Sequence, residues 1–186
     1  MMINSLKKIT IIVSAILISY NVMAQRTMPG EKMFGISAGY NFEGTGVSAT
    51  FGGYTKSGYW QTGLSGDMYN KPLSAGNDRL EYCHAAASGY YMAALARTRS
   101  RSFNLYGGGG VFMGYEAVDP FRRLPKSIET NLKNGYFLYG LFAGLESEMF
   151  LTRRVALTVT GHFPLNFSSK LDRLHCQAKV GVRIML

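Results

Sequence analysis

The sequence predicts an all-β protein, an eight-stranded antiparallel β-barrel of the outer-membrane type preceded by a cleavable signal peptide. Three observations lead there. Segments of alternating polarity recur along the chain, turn-forming stretches separate them, and the N-terminus carries an export pattern.

The export pattern comes first. MMINSLKK brings two lysines, ITIIVSAILISY is an apolar run of 12 residues, and NVMA supplies small or compact residues before Gln25. A cationic start, a short apolar run and a small-residue exit describe a secretory signal. A retained anchor helix is the weaker alternative, because a spanning helix needs about 20 apolar residues. Cleavage is expected between Ala24 and Gln25, which makes 1–24 the signal peptide and 25–186 a single barrel domain. No cysteine lies near that point, so a lipoprotein anchor is not indicated.

Removing 24 of 186 residues leaves 162, a one-domain length, and loss of Lys7 and Lys8 lowers the formal charge from +9 to +7. The bases gather in RTRSR, FRRLPK and LTRR, all in turn-like stretches, so a solvated rim is expected rather than a nucleic-acid helix or arm. Cys83 and Cys176 are the two cysteines, too few for a disulfide scaffold, and no disulfide is expected. Cys-x-x-Cys is absent and the three histidines are scattered, which argues against a zinc site.

Each strand has its own pattern. In 33–42, Phe34, Ile36, Ala38, Tyr40 and Phe42 share one parity, against Gly35, Ser37, Gly39 and Asn41. Period two over ten residues is a strand, not an amphipathic helix. In 46–54, Val47, Ala49 and Phe51 oppose Ser48, Thr50 and Gly52. In 59–69, Trp60, Leu64 and Met68 oppose Gln61, Ser65 and Asp67. The alanine-rich 81–96 is compatible with a helix by itself, but its Gly-Tyr-Tyr and its place in the series favour a strand. Segments 103–117 and 135–150 are long, glycine-rich and aromatic, 155–163 alternates, and 175–186 closes the set.

After a short first connector, short and long links take turns, as tight periplasmic turns and longer outward loops do in such barrels. Glycine has a reason as well. The interior of an eight-stranded barrel is barely wide enough for side chains. Gly35 and Gly39, like Gly140 and Gly144, fall on one face at even spacing, where that crowding demands it. A water-soluble barrel or sandwich would show the same alternation with the faces reversed, so parity leaves the choice open.

The C-terminus favours lipid. Lys179, Gly181, Ile184 and Leu186 resemble the terminal signal read by the outer-membrane insertion machinery, although Leu186 stands where an aromatic is usual. A terminal strand so apolar on one face is a hazard until it pairs, and pairing with the first strand removes the edge.

If the apolar parity meets lipid, Glu146 and Glu148 enter the lumen from one strand, and His162, Lys179 and Arg183 enter from the next two. These five are expected to form a polar cluster that fills the barrel. Paired carboxylates also suit glycosidase chemistry, yet no nucleophile or substrate groove accompanies them. His162, Ser168 and Glu116 are the residue types of a lipid-modifying triad, but no local motif joins them. GGGGVFMG lacks the Lys-Ser/Thr and the helix of a phosphate loop. Arg122 and Arg123 lack the interleaved aromatics of a nucleic-acid platform.

AQRTMPGEKMFGISAG, GGVFMGYEAV, NGYFLYGLFAGLESEMFLTRRVALTV and GVRIML together resemble the conjugative transposon protein TraO family across nearly all of the mature chain. The resemblance is least along Asn70 to Arg101. It implies a role in conjugative DNA transfer and brings no catalytic residues. Joined with the barrel reading, the expectation is a non-enzymatic component in the outer membrane of a Gram-negative bacterium, with outer-membrane lipid and other proteins of the conjugation apparatus as partners. No cofactor, metal, small-molecule substrate or direct nucleic-acid contact is expected. A lipid A-modifying barrel enzyme and a surface adhesin or exclusion factor acting through loops 70–80 and 118–134 are the alternatives.

Overall fold

A computed structural model describes residues 28–41, 44–72, 79–98, 102–118, 135–168 and 176–186. The expected signal peptide, its cleavage point at Ala24 and Gln25, and the basic stretch around Arg122 and Arg123 lie outside them. Eight strands form: β1 (Lys32–Asn41), β2 (Gly44–Tyr54), β3 (Gly58–Pro72), β4 (Arg79–Arg97), β5 (Phe103–Val118), β6 (Gly135–Phe150), β7 (Val155–Asn166) and β8 (Gln177–Met185). Each pairs antiparallel with the next, and β8 pairs with β1 from Met33↔Met185 to Asn41↔Gln177, closing the barrel. The free edge of the last strand is thereby removed.

Alternation settles which face looks out. On β6, Leu138, Phe142, Glu146 and Glu148 are buried, while Leu141, Leu145, Phe137 and Tyr139 between them are exposed. Ile36, Leu64, Val111, Val159 and Val182 continue the exposed apolar surface around other strands. An apolar belt on every side of a closed sheet is the lipid-facing surface of a membrane barrel. Phe51, Tyr91 and Phe103 stand exposed toward one end, Tyr115, Phe137 and Phe163 toward the other, as interfacial girdles do.

The short turns at 55–57 and 151–154 share one end with the start of β1 and with Leu186, so that end is periplasmic. The glycines do what the crowded interior requires. A Cβ on Gly140 would stand 2.1 Å from the Leu165 carbonyl oxygen, and one on Gly144 2.8 Å from the His162 ring.

Two details differ from the sequence expectation. β4 runs 19 residues with a register shift between Ala94 and Ala96, because pairing with both β3 and β5 overrides the helical preference of its alanines. β7 extends past Phe163 through Pro164 to Asn166. Pro164 is paired with Phe142 of β6, whereas the pairing of β7 with β8 ends at His162↔Gln177. Above that point the missing proline N–H faces no described strand, which is where a strand accepts proline.

Candidate functional site

The inward parity of all eight strands builds one polar lumen, and it divides into two levels. The lower level, at the periplasmic end, is closed. Met33, Tyr54, Tyr59, Met92, Phe150 and Met185 are buried there in one apolar cluster. Tyr59 and Tyr106 meet edge to face with ring centroids 4.9 Å apart. The tyrosines sit on the polar parity of their strands, so their rings fill the floor and their hydroxyls point at what lies above it.

Above the floor sits Arg183, 2% exposed. Its Nη1 donates to Glu148 Oε1 at 2.6 Å, and its Nη2 lies 2.8 Å from Glu146 Oε1. The second contact is an ion pair by distance without the alignment of a hydrogen bond, since Glu146 Oε1 has no hydrogen-bond partner. Nη2 donates instead to Gln61 Oε1 at 3.2 Å, and the guanidinium lies 4.6 Å from the centre of the Tyr59 ring. Glu148 also accepts from the Tyr54 hydroxyl, from Tyr106 at 3.1 Å and from Asn104 at 3.3 Å. Thr160 donates to Glu146 at 3.1 Å. A buried charge persists only when paired and hydrogen-bonded, and this arginine and its two carboxylates meet that condition.

A cavity of about 100 Å³ occupies the upper level and reaches down to Gln61, Glu146 and Arg183, which are part of its lining, while Glu148 is not. Ser37, Ser48, Ser65 and Ser88 line one side and Phe112 and Phe142 the other. Near the mouth, Tyr69 and Tyr82 stack at 4.7 Å with their planes 3° apart, and Gln177 donates to the Tyr69 hydroxyl at 3.2 Å. His84 and Glu116 share a hydrogen bond of 2.8 Å beside them.

Lys179 belongs to this upper level, and here the structure departs from the expected cluster. It pairs with Asp67 at 3.6 Å rather than with Glu146 or Glu148. Register puts Lys179 in line with both carboxylates, through Thr160 with Glu146 and through two glycines with Asp67, and the open glycine side is the one taken. Lys179 lies opposite Gly39, Gly39 opposite Gly46, and Gly46 opposite Asp67. A Cβ on Gly39 would come within 2.5 Å of Lys179 Cγ, and one on Gly46 within 1.8 Å of Asp67 Oδ1. The two glycines hollow a trough across β1 and β2, and the ion pair lies in it.

Of the five expected cluster residues, then, Glu146, Glu148 and Arg183 are in ionic contact and Lys179 pairs with Asp67, while Glu146, His162, Lys179 and Arg183 line one cavity. His162 packs against Phe142 and Tyr90, with centroids 4.9 and 5.9 Å away, and its Nε2 has no hydrogen-bond partner. Asp67, Tyr59, Tyr106 and Gln61 were not singled out from the sequence. Their shared parity with known inward residues was the available signal, most plainly for Asp67 beside Ser65 and Gln61.

The other candidates fall in separate places. Glu116 bonds His84, and Ser168 Oγ at the outer rim donates to the Phe137 carbonyl at 2.7 Å, so no hydrogen bond links His162, Ser168 and Glu116. Cys83 and Cys176 are free thiols. Among the described residues no His, Cys, Asp or Glu side chains gather in a group able to hold a metal ion. In the terminal strand, Lys179 and Gly181 face inward while Ile184 and Leu186 are exposed on the lipid side.

Residues 25–186 match the family described as conjugative transposon protein TraO. The chain belongs to that family. The TraO match spans the whole barrel, and solved outer-membrane barrels share its fold. A major outer membrane protein from Thermus thermophilus is similar with TM-score 0.60 at 10% identity, covering 84% of this chain and 99% of the other. OprG from Pseudomonas aeruginosa gives 0.55 at 11%, covering 88% and 96%. Ail of Yersinia pestis gives 0.51 at 14%, covering 86% and 100%. Comparison with curated sequences returns no match. The apolar belt and the closed sheet place this TraO protein in the outer membrane, the bilayer of Gram-negative cells that such barrels span.

Proposed function

We propose that the protein is a non-enzymatic outer-membrane component of the conjugative DNA-transfer apparatus of a mobile element. It anchors or positions that assembly in the membrane and is not itself the conduit. Membership of the TraO family over the full barrel carries this reading. The lumen supports it: eight strands leave room for side chains and little else, and the Arg183 level fills the periplasmic end. Its partners are outer-membrane lipid and other proteins of the apparatus. It touches no DNA directly, turns over no small-molecule substrate and uses no cofactor.

Gene deletion should abolish mating transfer, and a wild-type copy should restore it. Copies carrying Glu146→Gln or His162→Ala should restore it equally, because neither side chain has a chemical task in this reading. If both variants fold, reach the outer membrane and still fail to support transfer, catalysis or proton handling in the lumen takes its place. Lipid A acyl chains compared by mass spectrometry with and without the protein should be unchanged. A changed acyl pattern would make the barrel a lipid-modifying enzyme.

A further inference from the structure

The charge of the chain is unevenly placed. Among the four lumen acids and two lumen bases, Asp67, Glu146 and Glu148 face Lys179 and Arg183, and Glu116 faces His84. Among the described residues the periplasmic end carries five bases, Lys32, Lys56, Arg97, Arg153 and Arg154, and a single acid, Glu31.

Four of these bases are exposed: Lys32, Lys56, Arg153 and Arg154. Among the described residues none of them lies within ion-pair distance of an acid. Each sits beside a side chain that fixes the bilayer boundary. Lys32 points outward, its Nζ 5.0 Å from the centre of the Trp60 ring. Lys56 lies between Thr55 and Ser57, whose hydroxyls bond the Tyr91 hydroxyl at 3.0 and 2.7 Å, and Tyr91 is on the lipid side. Arg153 and Arg154 follow the exposed Leu151 in the turn between β6 and β7.

We infer that this rim binds the phosphates of anionic phospholipids in the periplasmic leaflet. Two features favour lipid over an acidic protein. The bases stand on β1, on the β2–β3 turn and on the β6–β7 turn, spread around the circumference as a surrounding ligand requires. Their aliphatic stems start at the level of the interfacial aromatics, so the charged ends reach the headgroup layer. The inference goes beyond the conjugation role and stands without it.

The test uses the full-length protein isolated from outer membranes and reconstituted in phosphatidylcholine vesicles with one third phosphatidylglycerol. Spin-labelled phosphatidylglycerol and phosphatidylcholine report the composition of the lipid shell. Phosphatidylglycerol should be enriched in the shell by up to about five-fold over phosphatidylcholine, the scale of one base near a charged surface. High salt should bring the ratio toward one. The triple variant Lys56→Gln, Arg153→Gln, Arg154→Gln should do the same at low salt, with heat-modifiability on a gel showing that it remains folded. A ratio of one in the wild type, or an enrichment unchanged in the folded variant, overturns the inference. So does saturable, variant-sensitive binding of polyglutamate in pure phosphatidylcholine without any phosphatidylglycerol enrichment, which would assign the rim to an acidic protein.

Discussion

The lower and upper levels of the lumen face the same problem, buried charge inside a sheet that leaves little space, and solve it differently. Below, Arg183 is held by two carboxylates, a glutamine and an aromatic face, with Glu148 collecting three further donors. Above, Lys179 reaches one carboxylate at 3.6 Å beside a cavity of about 100 Å³. A cavity of that size with partly polar walls has room for several water molecules. The difference teaches that the strength of a buried pair depends on what replaces it when a partner is lost. Glu148, away from the cavity, has no substitute for its cation; Asp67 and Lys179, on the cavity wall, have water.

The sharpest test of that contrast is Arg183→Ala. It leaves Glu148 buried away from the cavity without its cation, with Glu146 beside it, and should cost about 3–5 kcal/mol in urea unfolding of the membrane-embedded protein. Arg183→Met combined with Glu146→Gln and Glu148→Gln should recover most of the loss, because an uncharged filling of similar volume needs no counter-ion. If Arg183→Ala unfolds with the wild-type midpoint, the lower level is not the closed ionic site described above.

Gly46→Ala comes next. Its Cβ would fall 1.8 Å from Asp67 Oδ1, so about 1–3 kcal/mol of overpacking is expected. Asp67→Ala in the same chain should remove much of that cost, which a general backbone effect of alanine would not allow. Lys179→Met should cost about 1–3 kcal/mol, toward the lower end, since Asp67 can recover water from the cavity. A loss as large as that of Arg183→Ala would erase the distinction between the two levels. Smallest of all, Ser65→Val at the cavity wall should change stability by less than about 1 kcal/mol. A larger penalty would mean that the upper level is packed as tightly as the floor.

Much of the barrel is legible in the sequence because a strand in a membrane barrel must alternate at every position. Phe34 to Asn41 and Trp60 to Tyr69 announce their two faces directly, and the period holds along the eight strands except at the shift between Ala94 and Ala96 of β4. Parity also brings Glu146, Glu148 and Arg183 to one interior. It does not say which of the two carboxylates in line with Lys179 that cation takes, nor at which height each side chain sits. Height depends on the stagger between neighbouring strands, which sums around the barrel and is fixed only when β8 meets β1. Pro164 was missed for a related reason. Proline argues against a strand unless one side of that strand is unpaired, and which side is unpaired is a matter of stagger rather than local pattern. The tyrosines of the floor were obscured by their dual nature, since an aromatic on a polar parity resembles a break in the pattern.

The seam between β1 and β8 has a consequence for biogenesis. Arg183 lies on the strand that leaves the ribosome after the other seven, and it supplies the cation for two glutamates on β6 and a bond to Gln61 on β3. Without that strand the sheet has an open edge, and Glu146 and Glu148 lack their cation. One strand therefore completes both the seam and the charge pairing. A chain shortened by a few residues before Arg183 would lack its zipper and its counter-ion together, and the periplasm would receive it as a substrate for proteolysis.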